Sequence, residues 1–131
     1  MRSARLGGAI VAVTALLAAG GLASLEDRRR SCEDAAEWAY SNARAPIAEL
    51  APAVDGAISD CPGSETLAQV SLGLLQVGRR EPARTLARAA ASREPASYYA
   101  WVALAQADPP AAAARAAREV RRLNPHAASG P

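Results

Sequence analysis

Few residues in this chain could do chemistry, and they fall into four groups. Cys32 and Cys61 are the only cysteines, and His126 is the only histidine. Glu33, Asp34 and Glu37 cluster in "CEDAAEWAY", and Arg115, Arg118, Arg121 and Arg122 recur at helical spacing in "RAAREVRRL". Paired thiols point to a disulfide, a redox couple or a metal site. A histidine with a nucleophile or carboxylate points to acid–base catalysis. An arginine stripe could track phosphates.

The catalytic reading finds little to stand on. His126 sits in "PHAASGP", a terminal stretch expected to fray, so no nucleophile can be paired with it. The cysteine spacing is not C-x-x-C, and no metal-ligand spacing or glycine-rich phosphate loop occurs. Fifteen basic residues are all arginine, which removes any Schiff-base lysine and reads as a GC-rich coding bias. The acidic cluster suits the first turn of a helix, where the dipole favours carboxylates. No enzyme, cofactor or metal is expected. A net charge of +2 is too small to imply a polyanionic partner, and no aromatic residue interleaves with the arginine stripe, so nucleic acid is not expected. Anionic lipid or wall polymer remains a reading for Arg28 to Arg30 and Arg115, Arg118 and Arg122.

The elements that position these residues begin with "LGGAIVAVTALLAAGGLASL", residues 6–25, which holds no charge. Twenty helical residues rise about 30 Å, one hydrocarbon thickness. This segment is expected to be a transmembrane signal anchor, with residues 1–5 cytoplasmic and 26–30 a juxtamembrane linker. The alternative is a signal peptide cut after Ala23, which makes the rest a secreted helical protein. Arg2 and Arg5 on one side balance Arg28, Arg29 and Arg30 on the other, so charge bias does not settle orientation.

Thirty-five residues are alanine and none is phenylalanine, which favours helix and makes a thin core. "CEDAAEWAYSNAR" and "PIAELAPAVDGAISDC" read as two helices, the second containing Pro52 and ending before "PG". If they pair antiparallel, Cys32 comes beside Cys61 and a structural disulfide over residues 31–62 follows. Two free buried thiols are the other reading of the pair. A disulfide places residues 26–131 outside the cytoplasm.

An internal period organises the rest. Trp38 precedes Pro62 by 24 residues, Trp101 precedes Pro125 by 24, and Pro46 and Pro109 stand at the same offset. Both tryptophans are expected early in a helix. Between these units, residues 63–97 put Leu67, Val70, Leu74 and Val77 on one face. Gly78 then breaks the chain, and a second helix follows, starting near Pro82 with Leu86, Ala87 and Ala90 inward.

This middle unit resembles a tetratricopeptide (TPR) repeat, the 34-residue helix–turn–helix unit of superhelical scaffolds. With Ser64 as the first position, Gly78 falls on the family's turn glycine, Ala83 and Ala90 on its small positions, and Pro95 on its final proline. In residues 98–125, Trp101, Leu104 and Ala105 match the family's early W-x-x-L-G motif, Ala113 a small position, and "LNP" the ending. This unit and the first are four residues, one helical turn, shorter than the family length between tryptophan and proline. The chain is therefore expected to be all-α: an N-terminal transmembrane helix, then a TPR-like stack of about three hairpins, then a disordered tail at 126–131.

The resemblance implies a concave surface, lined by the first helix of each hairpin, that holds a protein or peptide partner. Carried over by position, it includes Leu72, Gln76, Tyr99 and Val102, with Gln106 on the rim. The last hairpin has no solvating helix after it, so its outer side is expected to meet another chain, a membrane protein or a second copy. The phrasing of residues 93–125 also looks like the helical repeats of O-antigen ligase and polymerase-type membrane proteins, which implies cell-envelope work. The expected function is that of a membrane-anchored adaptor or assembly scaffold.

Overall fold

Between Leu22 and Ala45 the chain contains no proline or glycine, so nothing stops a helix that is already running. A computed structural model describes the backbone of residues 3–128 and the side chains of residues 20–126. In it, α1 runs unbroken from Ser3 to Ser41, 39 residues. Its exposed middle is laced by the i,i+4 ion pairs Glu26–Arg30, at 3.4 Å, and Arg29–Glu33, at 2.9 Å.

Residues 26–30, the expected juxtamembrane linker, are part of this helix. The continuity corrects two other expectations. Glu33, Asp34 and Glu37 lie mid-helix, so no helix N-terminus accounts for them; Glu33 is instead the partner of Arg29. Trp38 lies in the last turn of its helix, not early in it, and at 38% exposure does not fill a gap between layers.

Five shorter helices follow: α2 (Ile47–Asp60), α3 (Glu65–Gln76), α4 (Arg80–Arg93), α5 (Tyr98–Ala107) and α6 (Pro110–Leu123). A 3₁₀ turn, Pro125–Ala128, stands where a disordered tail was expected to begin; residues 129–131 lie outside the described residues. The described residues contain no strand. Prolines punctuate the array. α2, α4 and α6 each end two residues before Pro62, Pro95 and Pro125, whose rings cannot continue a helix. Pro46 and Pro109 occupy the N-cap positions of α2 and α6, which explains their matched spacing. Pro52 sits exposed within α2, where the helix tolerates its missing N–H.

The middle hairpin turns differently. Gly78 has φ +79°, open to glycine at little cost. The Arg79 N–H donates to Leu74 O at 2.9 Å and the Gly78 N–H to Leu75 O at 3.0 Å. These two bonds make a Schellman ending for α3.

The helices form three hairpins, α1–α2, α3–α4 and α5–α6, packed side by side, with α3 between α1 and α5. The core runs through all of them: Ala36, Ala39, Leu50, Val54 and Ala57 in the first hairpin, Leu67, Leu74, Leu86 and Ala90 in the second, and Trp101, Leu104 and Ala116 in the third. Leu67, Val70 and Leu74 are buried as the period required, with Val77 half-buried, and Leu86, Ala87 and Ala90 are fully buried. Alanine on facing helices lets the backbones approach closely, and a few leucines fill what remains. Ser71, fully buried, donates its hydroxyl to Ala83 O at 2.8 Å and so ties α3 to α4.

Cys32 and Cys61 are joined by a disulfide, with Cα atoms 4.6 Å apart. The antiparallel α1–α2 pairing brings them together, as the hairpin reading required.

Every described residue from Gly20 to Ser31 is exposed, including Leu22 at 68% and Leu25 at 62%. Among the described residues no helix is long and apolar enough to cross a membrane. The expected span, residues 6–25, falls mainly on residues 1–19, whose side chains lie outside the described residues.

Candidate functional site

The face where α1, α3 and α5 lie side by side carries an open groove of about 520 Å³ between α1 and α3. Ala36, Glu37 and Tyr40 line one wall; Leu72, Gly73 and Gln76 line the other. Tyr40 is 59% exposed, and one edge of its ring occupies the space beside Gly73 where a side chain would begin. A Cβ at Gly73 would sit 2.5 Å from Tyr40 Cε2, so only glycine lets the ring occupy that position.

Of the residues expected on this surface, the structure brings Leu72 and Gln76 together in this groove, half-buried and exposed respectively. Tyr99 and Val102 are on α5 and outside it. Tyr99 is 63% exposed and meets the Tyr98 ring edge-on, with centroids 5.6 Å apart. Val102 is half-buried, and Gln106 is exposed on the same helix, outside the groove. Tyr40 and Gly73 were missed. The available signal was a glycine in the middle of an otherwise good helix, which commonly marks a close approach.

Arginines hold this surface in shape. Arg79 donates Nε to Ala43 O at 3.1 Å, and Nη2 to Arg44 O at 2.8 Å and to Ala45 O at 2.7 Å. One guanidinium thus satisfies three carbonyls of the turn after α1, which the helix itself leaves unbonded. Arg93 does the same for α2, donating to Ile58 O and Cys61 O. Arg84 and Arg88 converge on the buried Asp108 at 3.4 and 3.2 Å, joining α4 to the end of α5. Glu94 accepts from the Ser64 hydroxyl at 2.7 Å and from its N–H at 3.2 Å, holding the entry to α3. The Trp101 Nε1–H donates to Pro95 O at 2.8 Å. A uniform coding bias hid these roles in the sequence. Replacement of Arg79 by alanine is expected to cost about 2 kcal/mol, because charge-assisted bonds to carbonyls are lost. Lysine should recover less than half, lacking the fork. Urea denaturation of both variants checks this, and equal stability of the lysine variant and the parent would contradict it.

A second, larger groove of about 850 Å³ separates α4 from α6 on the other side of α5. Its lining includes Trp101 and Leu104, alanines of α6, and Arg88, Arg115 and Arg118. Arg115, Arg118, Arg121 and Arg122 are all exposed, and Arg122 pairs with Glu119 at 2.7 Å. At the other end of the chain, Glu33 and then Glu26 raise the pKa of the exposed Arg29 guanidinium above its ordinary value, mainly through the hydrogen bond from Nε. Among the described residues, no group of three or more histidine, cysteine, aspartate or glutamate side chains could hold a metal ion. No buried side-chain nitrogen or oxygen lacks a hydrogen-bond partner there.

Fold and surface together define an all-α protein built as a short stack of three hairpins, clamped by one disulfide and by arginine caps. No family model, curated protein or solved structure matches the chain.

Proposed function

We propose that this chain is a membrane-anchored adaptor, a TPR-like hairpin stack that holds a protein or peptide partner outside the cytoplasm. The observation that carries the reading is the groove lined by Leu72, Gln76 and the exposed Tyr40, with a second exposed tyrosine, Tyr99, on the neighbouring α5. Exposed aromatic side chains supply large contact area at small entropic cost, which is what a docking surface needs. The disulfide supports an oxidising compartment. The bare, leucine-bearing stretch of α1 after Gly20 supports a helix covered by something other than this chain, and a bilayer fits the uncharged residues 6–25 that precede it. The repeat phrasing points to cell-envelope assembly.

Crosslinking the full chain in its native membrane, with a photoreactive group at the exposed groove residue Gln69, is the direct test. A single partner should be captured, and Tyr99→Ala or Leu72→Glu should reduce capture about tenfold with helicity unchanged. Equal capture by all three proteins would remove this surface from consideration. The mass of the mature chain decides the anchor: loss of residues 1–23 would exclude it.

A further inference from the structure

Charge is segregated along the stack. α2 contains Glu49, Asp55 and Asp60 and no basic residue; α6 contains Arg115, Arg118, Arg121 and Arg122 against a single acid, Glu119. The exposed residues of α2 include Ile47, Ala48, Ala51, Pro52, Asp55 and Ser59, which share one helical stripe. Ile47 is 54% exposed, so this stripe is apolar and small at one end and acidic in the middle.

The groove between α4 and α6 is its complement. Its floor holds Trp101 and Leu104, each only 9% exposed, and its α6 wall is alanine. Arg115 and Arg118 stand at the rim, exposed and without a hydrogen bond or ion pair to any described residue. An alanine wall admits a helix backbone closely, and two unpaired guanidinium groups favour a carboxylate between them.

We propose that the α4–α6 groove of one copy receives α2 of a second copy, with Asp55 facing Arg115 and Arg118. The contact joins two different surfaces, so it is heterologous and leaves an acidic helix free at one end and a basic groove free at the other. Repeating the contact adds copies head to tail, closing into a ring or growing into a filament according to the rotation between neighbours. The contact uses neither Tyr99 nor Leu72 and stands apart from the partner surface proposed above.

Sedimentation velocity of the full chain in a non-ionic detergent tests the proposal, using wild type, Asp55→Arg and the double variant Arg115→Glu/Arg118→Glu. All three positions are exposed, and circular dichroism verifies that the fold is kept. Wild type should grow in mass with concentration and dissociate as salt is raised. Each variant alone should associate at least about tenfold more weakly, since like charges then meet. Mixing the two variants should restore assembly, because each supplies the partner charge that the other lacks. Wild type of constant mass at every concentration and salt would overturn the proposal, as would mixed variants that stay apart. So would binding to anionic-lipid micelles lost in Arg115→Glu/Arg118→Glu with self-association unchanged, which assigns the arginines to a membrane surface instead.

Discussion

Full-length chain in which Cys32 and Cys61 are both serine is expected to lose about 3.5 kcal/mol of unfolding free energy. That is the chain-entropy value for a crosslink spanning 29 residues. The effect should be concentrated in the first hairpin. Its core is Ala36, Ala39, Ala43, Leu50, Val54 and Ala57, of which only leucine and valine bury much area. The bridge closes this hairpin internally; the hairpin is held to the rest by α1 against α3, α2 against α4 and the caps from Arg79 and Arg93. Hydrogen exchange in the serine variant should therefore show α2 losing protection before α4. Uniform loss across all the helices, or a denaturation midpoint equal to that of the oxidised parent, would mean the bridge adds nothing to a hairpin that is already rigid.

A comparable loss, about 3 kcal/mol, is expected for Leu74→Ala, measured by urea denaturation with the disulfide intact. Leu74 has no exposed surface and belongs to the small set of large side chains that are fully buried, with Leu50, Leu67 and Leu86. What surrounds these leucines is mostly alanine. A leucine or methionine neighbour can swing into a cavity, but alanine has no rotamer to change. The cavity closes only if whole helices shift, and their ends are held by Arg79, Ser71–Ala83 and Arg88–Asp108. A loss below 1 kcal/mol would show that the stack can collapse inward after all. Leu72→Ala, half-buried at the groove edge, should cost less than half as much.

Helix period, proline punctuation and alanine content were enough to read an all-α chain of hairpins, because these are local preferences that each segment expresses alone. The hairpin at Gly78 was legible since a left-handed backbone needs glycine. The sulfur pairing was legible too, because a chain that turns back on itself as antiparallel helices brings residues at similar distances from the turn beside one another. Where α1 begins and ends was not. Acidic residues after Cys32 look like a helix start, but i,i+4 ion pairs carry a helix through the same residues, and no breaker decides between the two.

The surface followed the same division. Leu72, Gln76, Tyr99, Val102 and Gln106 could be picked by position in a repeat, yet only α1 packing on α3 puts Tyr40 over Gly73 and opens a groove beside the first two. Arginine is this chain's only basic side chain besides histidine, so its identity alone carries no local signal of which copies become caps. For Arg79 and Arg93 the partners are carbonyls of the turn after α1 and the end of α2, 32 to 36 residues away along the chain, and for Arg88 a carboxylate buried at a helix end 20 residues away. Which arginines became caps and which stayed bare at Arg115 and Arg118 was decided by where the helix ends fell once the hairpins had stacked. Hydrogen bonds to unsatisfied backbone groups form only when tertiary packing delivers donor and acceptor to the same place.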